Sequence, residues 1–129
     1  LGDRDEARFS ACVGQPMIVP APPLAVSEQV AVLEGANRVT LDEKASSNNI
    51  QVIVSLVQQG IGVGILTSLD AAKEVAERRL NFTRLTDPIL RPMTLALCTA
   101  SSRAPSYAAD LVLAEIQGGF VQLAYTAPA

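Results

Sequence analysis

The chain has 129 residues, of which 49% are hydrophobic and 18% charged, with a net charge of -3 and no histidine. This composition predicts a folded core, and the scattered basic residues argue against a nucleic-acid-binding surface in this chain. The lack of histidine excludes Ser-His-Asp triads, histidine metal ligands and imidazole acid–base chemistry.

The cysteines, the apolar runs and the first residue add three expectations. Cys12 and Cys98 are too few and too far apart for a metal site or a disulfide framework, so we expect free thiols in a reducing compartment. No apolar run approaches the ~20 residues that span a bilayer. Because the chain starts at Leu1 without a methionine or a leader, we expect it to be part of a longer protein.

The first predicted elements are a strand and a helix. The β-branched run MIVP at 17–20, stopped by proline, predicts a buried strand. Val26, Val30 and Leu33 then recur at helical spacing, and the GAN stretch at 35–37 is expected to end that helix.

A second strand and a second, very apolar helix follow. In RVTLDE at 38–43, apolar and polar residues alternate, which predicts a strand covered on one side. The next residues, ASSNN at 45–49, supply four candidate N-cap residues for a helix. Its apolar residues leave only a narrow polar strip, so we expect burial on two sides or contact with another subunit. They are Ile50, Val52, Ile53, Val54, Leu56 and Val57.

Three glycines in QQGIGVGILT at 58–67 resemble a nucleotide-binding loop at first sight. A dinucleotide fingerprint is G-x-G-x-x-G after a strand and before a helix, whereas here a helix ends and a strand begins, with G-x-G-x-G spacing. We therefore interpret Gly60 as the left-handed residue that closes the helix. Gly62 and Gly64 are expected to let the strand GVGIL lie close to a neighbouring element.

The remainder predicts two helices and two strands. Leu69, Ala72, Val75 and Ala76 mark a helix whose exposed side is expected to carry Asp70, Lys73, Glu74 and Glu77. The segments LNFTRL and MTLALCTA predict strands, and Ala109, Val112, Leu113 and Ile116 mark a last helix, ended by the glycines at 118–119. The order β-α-β-α-β-α-β-β-α favours an α/β fold of three layers, with a mostly parallel sheet flanked by helices.

No arrangement of residues indicates catalysis or a cofactor. Asp42 and Glu43 are adjacent and would point to opposite faces of a strand, and the serines have neither a histidine partner nor a G-x-S-x-G elbow. We expect no catalytic residue, no metal and no cofactor. The start of the apolar helix offers unpaired N–H groups and a partial positive charge, which suit a carboxylate or another anion. Plain helix capping, which needs only one of the four candidate residues, explains them more simply.

Four segments in this order resemble the effector-binding domain of LysR-type transcriptional regulators. They are CVGQPMIVPAPPL, SSNNIQVIVSLVQQGIGVGILTSLDAAKEV, RLNFTRLTDPILRPMTLAL and SSRAPSYAADLVLAEI, and they cover about Cys12 to Ile116. The stretch LVQQGIGVGIL is similar to the family pattern lVxxGxGvgxLp. Leu80, Phe82, Leu85 and Asp87 match a later L-x-F-x-x-L-x-D pattern.

The resemblance implies a cytoplasmic, dimeric regulator. It would carry an N-terminal winged helix-turn-helix and a two-lobed domain like a type II periplasmic binding protein, with a small, often carboxylate effector held between the lobes. Residues 1–14 would be a hinge strand with a remnant of the first lobe, 15–98 the second lobe, and 99–129 the hinge return and the C-terminal helix of the first lobe. DNA would be bound only through the domain that this chain does not contain.

The resemblance also assigns effector contacts. They fall at the end of the strand at 17–20 and at the start of the apolar helix, where the unpaired N–H groups would suit an anion. These contacts are Pro20, Ser46, Ser47, Asn48 and Asn49. Thr67 departs from the family by replacing the usual proline after GVGIL. The alternatives are a substrate-binding lobe of a transporter's solute-binding protein, an enzyme on the same kind of fold, and a structural assembly module. A helix-turn-helix or a signal peptide upstream would separate the first alternative from the regulator.

Overall fold

The computed structural model describes residues 4–122, with side chains described up to residue 119. Its elements in chain order are β1 (Glu6–Ala7), a 3₁₀ helix (Phe9–Cys12), β2 (Pro16–Pro20), α1 (Ala25–Asn37), β3 (Asp42–Ser47), α2 (Ile50–Gln58), β4 (Val63–Gly64), α3 (Ala72–Ala76), β5 (Arg84–Leu85) and α4 (Tyr107–Gln122). The chain divides between Arg91 and Pro92 into two compact units.

The first unit contains two parallel sheets. The larger has the strand order β3-β2-β4, and the smaller pairs β1 with β5. Register is fixed by pairs such as Pro20 with Ser47 and Met17 with Val63. The strands predicted at 17–20 and in GVGIL therefore share one sheet, and the predicted α/β class with a parallel sheet is confirmed.

Helices cover both faces of the larger sheet. Met17 belongs to the main buried cluster together with Val30 and Leu33 of α1. Ile18, its neighbour on β2, points to the opposite face, where α2 packs and contributes the buried Ile53. The alternation of side chains along β2 thus builds a three-layer arrangement with β2 at its centre.

Each glycine of the 60–64 stretch has the structural role expected of it. Gly60 follows α2 with a φ of +74°, the left-handed conformation that closes a helix. A Cβ on Gly62 would collide with the carbonyl oxygen of Pro16, and a Cβ on Gly64 would lie 3.0 Å from Val57 Cγ2. The last two glycines therefore allow β4 to approach β2 and α2.

The predicted end of α1 is confirmed, whereas the predicted start of β3 is wrong. Helix α1 ends at Asn37, the last residue of the GAN stretch, and is followed by Arg38 at a φ of 54°. The next residues lie along the end of α1 rather than in the sheet, since the Glu34 carboxylate accepts the Leu41 N–H group at 2.9 Å. The strand consequently begins at Asp42 and extends through Ser47.

The expected exposure of α3 is also wrong in part. Glu74 is 8% exposed, although its position was expected on the solvent side. The guanidinium of Arg79 lies 3.4 Å from its carboxylate, and this partner offsets part of the cost of burying the charge. Leu69, expected on the apolar stripe, is exposed instead.

For the second unit, the predicted strand, the predicted helix end and part of the predicted apolar stripe are wrong. No strand forms at MTLALCTA (93–100), since within residues 4–122 this segment makes no backbone–backbone hydrogen bond. The glycines at 118–119 do not end α4, which continues to Gln122. Glycine disfavours a helix interior by only about 1 kcal/mol, so it does not stop a helix by itself. On the predicted apolar stripe, Val112 and Ile116 are exposed.

None of the helices between residues 4 and 122 combines the length and the apolar character needed to cross a bilayer.

Candidate functional site

The ends of β2 and β3 form the centre of the predicted site. Pro20 pairs with Ser47 and Val19 with Ser46, and the Ala21 N–H group donates to the Ser47 carbonyl at 2.9 Å. Because parallel strands end at the same edge of a sheet, these residues lie at the carboxyl edge. Crevices for ligands in open α/β sheets form at this edge.

The N-terminus of α2 adjoins the same edge, and Asn49 caps it. The Asn49 Oδ1 atom accepts the N–H group of Gln51 at 2.9 Å and that of Val52 at 3.3 Å. Its backbone is extended, as expected for a residue that begins a helix. Two of the first N–H groups of α2 are therefore satisfied inside the chain, and a ligand would have to use others.

The Ser47 hydroxyl orders the turn between β3 and α2. Its Oγ atom accepts the Asn49 N–H group at 3.1 Å. The Oγ atom also lies 3.5 Å from the Asn49 carbonyl, at the limit of a hydrogen bond, so the hydroxyl proton is only weakly held. Ser47 can therefore keep its contact with Asn49 and still donate to an incoming oxygen atom.

Two backbone donors at this turn have no partner within the described part of the chain. These are the N–H groups of Asn48 and Ile50. No acidic residue occupies the first turn of α2, so the partial positive charge of the helix N-terminus is not compensated there. The turn consequently offers up to three donors to an anion: these two amides and the Ser47 hydroxyl.

The five predicted residues differ in how they face this edge. Pro20 is buried, Ser47 is half-buried, and Asn48 and Asn49 are exposed. Ser46 precedes Ser47 on the same strand, so its side chain points to the other face of the sheet. The structure thus brings Pro20, Ser47, Asn48 and Asn49 to the turn. Ser46 lies one residue earlier in β3, with its side chain on the other face of the sheet.

The family comparison agrees with the fold. A model described as the LysR substrate binding domain matches residues 1–120. The chain belongs to this family. No curated protein and no solved structure matches the chain.

In this LysR substrate-binding domain, Thr67 caps the segment after β4. Thr67 Oγ1 donates to Asp70 Oδ2 at 2.6 Å, the Asp70 N–H group donates back to Oγ1 at 3.2 Å, and the Thr67 N–H group donates to Oδ2 at 3.2 Å. This reciprocal pair is a capping box, and its spacing T-x-x-D in the sequence is the signal that indicates it. The hydroxyl that replaces the family's proline is therefore engaged locally.

Potential metal ligands are dispersed in this LysR domain. Between residues 4 and 122, no three His, Cys, Asp or Glu side chains are grouped so that they could hold a metal ion. Asp42 forms an ion pair with Lys44 at 3.0 Å on the exposed part of β3. Glu6 and Arg84 form another between β1 and β5.

Proposed function

We propose that this chain senses a small anionic effector as part of a LysR-type transcriptional regulator. The observation that carries the proposal is the pairing of Pro20 with Ser47, which sets the strand ends beside the N-terminus of α2. Family membership supports a regulatory rather than a metabolic role for such a site.

The donors at the turn suit one carboxylate group. One oxygen atom would accept from the Asn48 and Ile50 N–H groups and the other from the Ser47 hydroxyl. Hydrogen bonds to charged acceptors contribute about 1.5–3 kcal/mol each, more than bonds between neutral groups. The helix dipole adds about 0.3–1 kcal/mol for a negative charge. A neutral ligand of the same shape would lose most of this advantage.

Signalling would follow from the arrangement of two lobes. In this scheme residues 15–98 form the second lobe, residues 1–14 and 99–129 connect it to the first, and DNA binding resides in a domain that this chain does not contain. The effector would stabilise one arrangement of the lobes in a cytoplasmic homo-oligomer and shift the population towards it. A useful response requires a coupling free energy of about 1–3 kcal/mol between effector and DNA.

The solute-binding lobe of a transporter is the alternative, and the family match does not favour it. The two classes of protein differ in the region that precedes the ligand-binding domain. A helix-turn-helix encoded there supports the regulator, whereas an export signal supports the transporter.

Ligand-induced stabilisation of the intact regulator tests the proposal. Its melting temperature is measured with a panel of small carboxylates, each compared with its neutral amide. For a carboxylate that binds, Ser47→Ala is expected to raise Kd about tenfold, which corresponds to about 1.4 kcal/mol. Asn48→Ala keeps the backbone N–H group and is expected to change Kd less.

Ser55→Ala is the matched control, since Ser55 is an exposed serine near the opposite end of α2. It removes the same hydroxyl without touching the turn and should leave Kd unchanged. Equal binding of the carboxylates and their amides, or equal weakening by the Ser47 and Ser55 variants, would contradict the proposal.

A further inference from the structure

The second unit leaves its apolar side chains uncovered. Between residues 92 and 119 no residue is buried, and Leu95, Leu97 and Val112 are 62%, 50% and 58% exposed. The unit spans Pro92–Ala129, and chains shorter than about 40 residues usually need disulfides, metals or oligomerisation to hold a fold. These side chains therefore form a surface that a partner is needed to cover.

The segment 93–100 also offers its backbone to a partner. It makes no backbone–backbone hydrogen bond within residues 4–122. The larger apolar residues Met93, Leu95 and Leu97 alternate with smaller ones, which is the pattern of a strand. Unpaired backbone of a strand-forming segment is a template on which a strand of another chain can pair.

Charge separates this segment from an edge strand in the first unit. Strand β3 lies at one edge of the larger sheet and carries Asp42, Glu43 and Lys44, all exposed. Charges of this kind prevent pairing between sheet edges. The segment 93–100 contains neither a charged residue nor a proline. Two copies of it can therefore approach each other without electrostatic repulsion.

An apolar groove adjoins the same segment. Leu97, Cys98 and Thr99 line it on one side, and Val112 and Ile116 of α4 line it on the other. A strand placed beside Leu97 and Thr99 would cover this groove. A two-stranded ribbon is marginally stable by itself, but it is stabilised when helices pack on it. One strand and one helix from each of two copies would supply both layers.

We propose that residues 93–100 pair antiparallel with the same residues of a second copy of this chain, about a twofold axis at Ala96. Leu97 then lies opposite Leu95 of the second copy, so large apolar side chains meet at the groove. A twofold interface uses the same patch on both copies. Specific interfaces use about 20–30 residues a side, which is the size of the stretch 92–119. The proposal goes beyond the effector site and uses none of its residues.

Sedimentation equilibrium of the full chain measures the association. We expect the unaltered protein to be a dimer at micromolar concentration. Leu95→Lys places a charge opposite Leu97 of the second copy and should raise the Kd of the dimer at least about tenfold. Val32→Lys is the matched control, because Val32 is a 45% exposed apolar residue of α1, and it should leave this Kd unchanged.

Disulfide cross-linking tests the register. Opposite residues of an antiparallel pair have Cα atoms about 4.5–5.5 Å apart, which a disulfide can span. Thr94 would lie opposite Cys98 of the second copy, so oxidation of Thr94→Cys should give a covalent dimer, located by mass spectrometry. Met93→Cys is the matched control, since it would lie opposite Thr99 and should form little of this product. Cys12 is buried and does not compete.

A monomeric unaltered chain would overturn the proposal, as would a dimer that Leu95→Lys leaves intact. A monomer whose groove binds a hydrophobic dye would assign the face to another occupant and would overturn it equally. Should Leu95→Lys fail to fold, cross-linking decides: equal yields from Thr94→Cys and Met93→Cys, or none from either, contradict the register.

The two cysteine variants are also compared in the longer protein that contains this chain. A cross-link through Thr94→Cys there supports the proposal, whereas its absence would mean that another part of that protein covers the face, which overturns it. None of these measurements uses an effector. Failure here would leave the effector site untouched, and failure of the carboxylate panel would leave the dimer surface untouched.

Discussion

Pro20 and Ser47 are paired residues at the carboxyl ends of β2 and β3, joined through the Ala21 N–H group and the Ser47 carbonyl at 2.9 Å. They are separated by all of α1, so the sheet, rather than the local sequence, brings the proline to the turn that begins α2. The candidate site consequently depends on the register of the sheet. A slip of one residue would turn the Ser47 side chain to the other face.

The cap at Asn49 should contribute measurably to stability. Asn49→Ala removes the oxygen atom that binds the Gln51 and Val52 N–H groups and is expected to lower the free energy of unfolding by about 1 kcal/mol. Asn49→Asp should retain most of the stability, because a carboxylate caps equally well and suits the helix dipole. Urea denaturation with a fixed m-value measures both variants.

The adjacent Asn48 provides the control, since its side chain accepts no cap hydrogen bond from α2. Asn48→Ala should change the free energy of unfolding by less than about 0.5 kcal/mol, as is usual for exposed positions. If both alanine variants lost the same stability, the capping assignment would be wrong.

Gly62 and Gly35 should respond in opposite ways to alanine. A Cβ at Gly62 meets the Pro16 carbonyl, a backbone atom that cannot rotate away, so Gly62→Ala is expected to cost about 1–3 kcal/mol by forcing β4 from β2. Gly35 lies inside α1 with open space around its Cβ position. Gly35→Ala should therefore stabilise the protein by about 0.5–1 kcal/mol.

Thermal or urea unfolding of the two variants checks this pair directly. Both variants add the same methyl group, so the difference between their free energies of unfolding reports how much space surrounds each glycine. A neutral Gly62→Ala would contradict the close approach of β4 to Pro16, and destabilisation by Gly35→Ala would contradict the open space around Gly35.

The sequence predicted those features that depend on local chemistry. Val26, Val30 and Leu33 are the buried residues of α1, as their helical spacing indicated. Gly60 has the left-handed backbone that its place after an apolar helix required. The four candidate caps before α2 could not be ranked from sequence, because β3 extends into Ser47 and leaves Asn49 to begin the helix.

Features that depend on residues distant in the sequence were not predicted. Glu74 has the spacing of a solvent-facing residue, and its burial follows from packing in the tertiary structure. Asp87 was recognised as part of a family pattern, yet its bond to Phe9 joins residues 78 apart. MTLALCTA has the alternation of a strand, but alternation supplies no neighbouring strand, and none pairs with it within residues 4–122.

The two thiols should differ in reactivity. Cys98 is exposed, whereas Cys12 is buried and its pKa lies above the ordinary value of 9.0 because burial and the Asp87 carboxylate disfavour the thiolate. A disulfide reagent at about pH 8 should therefore modify Cys98 rapidly and Cys12 only when the protein unfolds, since the thiolate is the reactive form. Mass spectrometry of the tryptic peptides identifies which thiol has reacted.

The raised pKa of Cys12 also predicts a loss of stability in alkali. Above the ordinary pKa of 9.0 the unfolded thiol ionises while the folded thiol stays neutral, so the unfolded state binds fewer protons and the free energy of unfolding falls as pH rises. Cys12→Ala should be less stable at neutral pH, because it leaves a cavity, yet lose less stability between pH values of about 8 and 10. Cys98→Ala is the control, and its free energy of unfolding should fall with pH as much as that of the unaltered protein. If the free energy of unfolding fell equally in the unaltered and Cys12→Ala proteins, another group would cause the decrease.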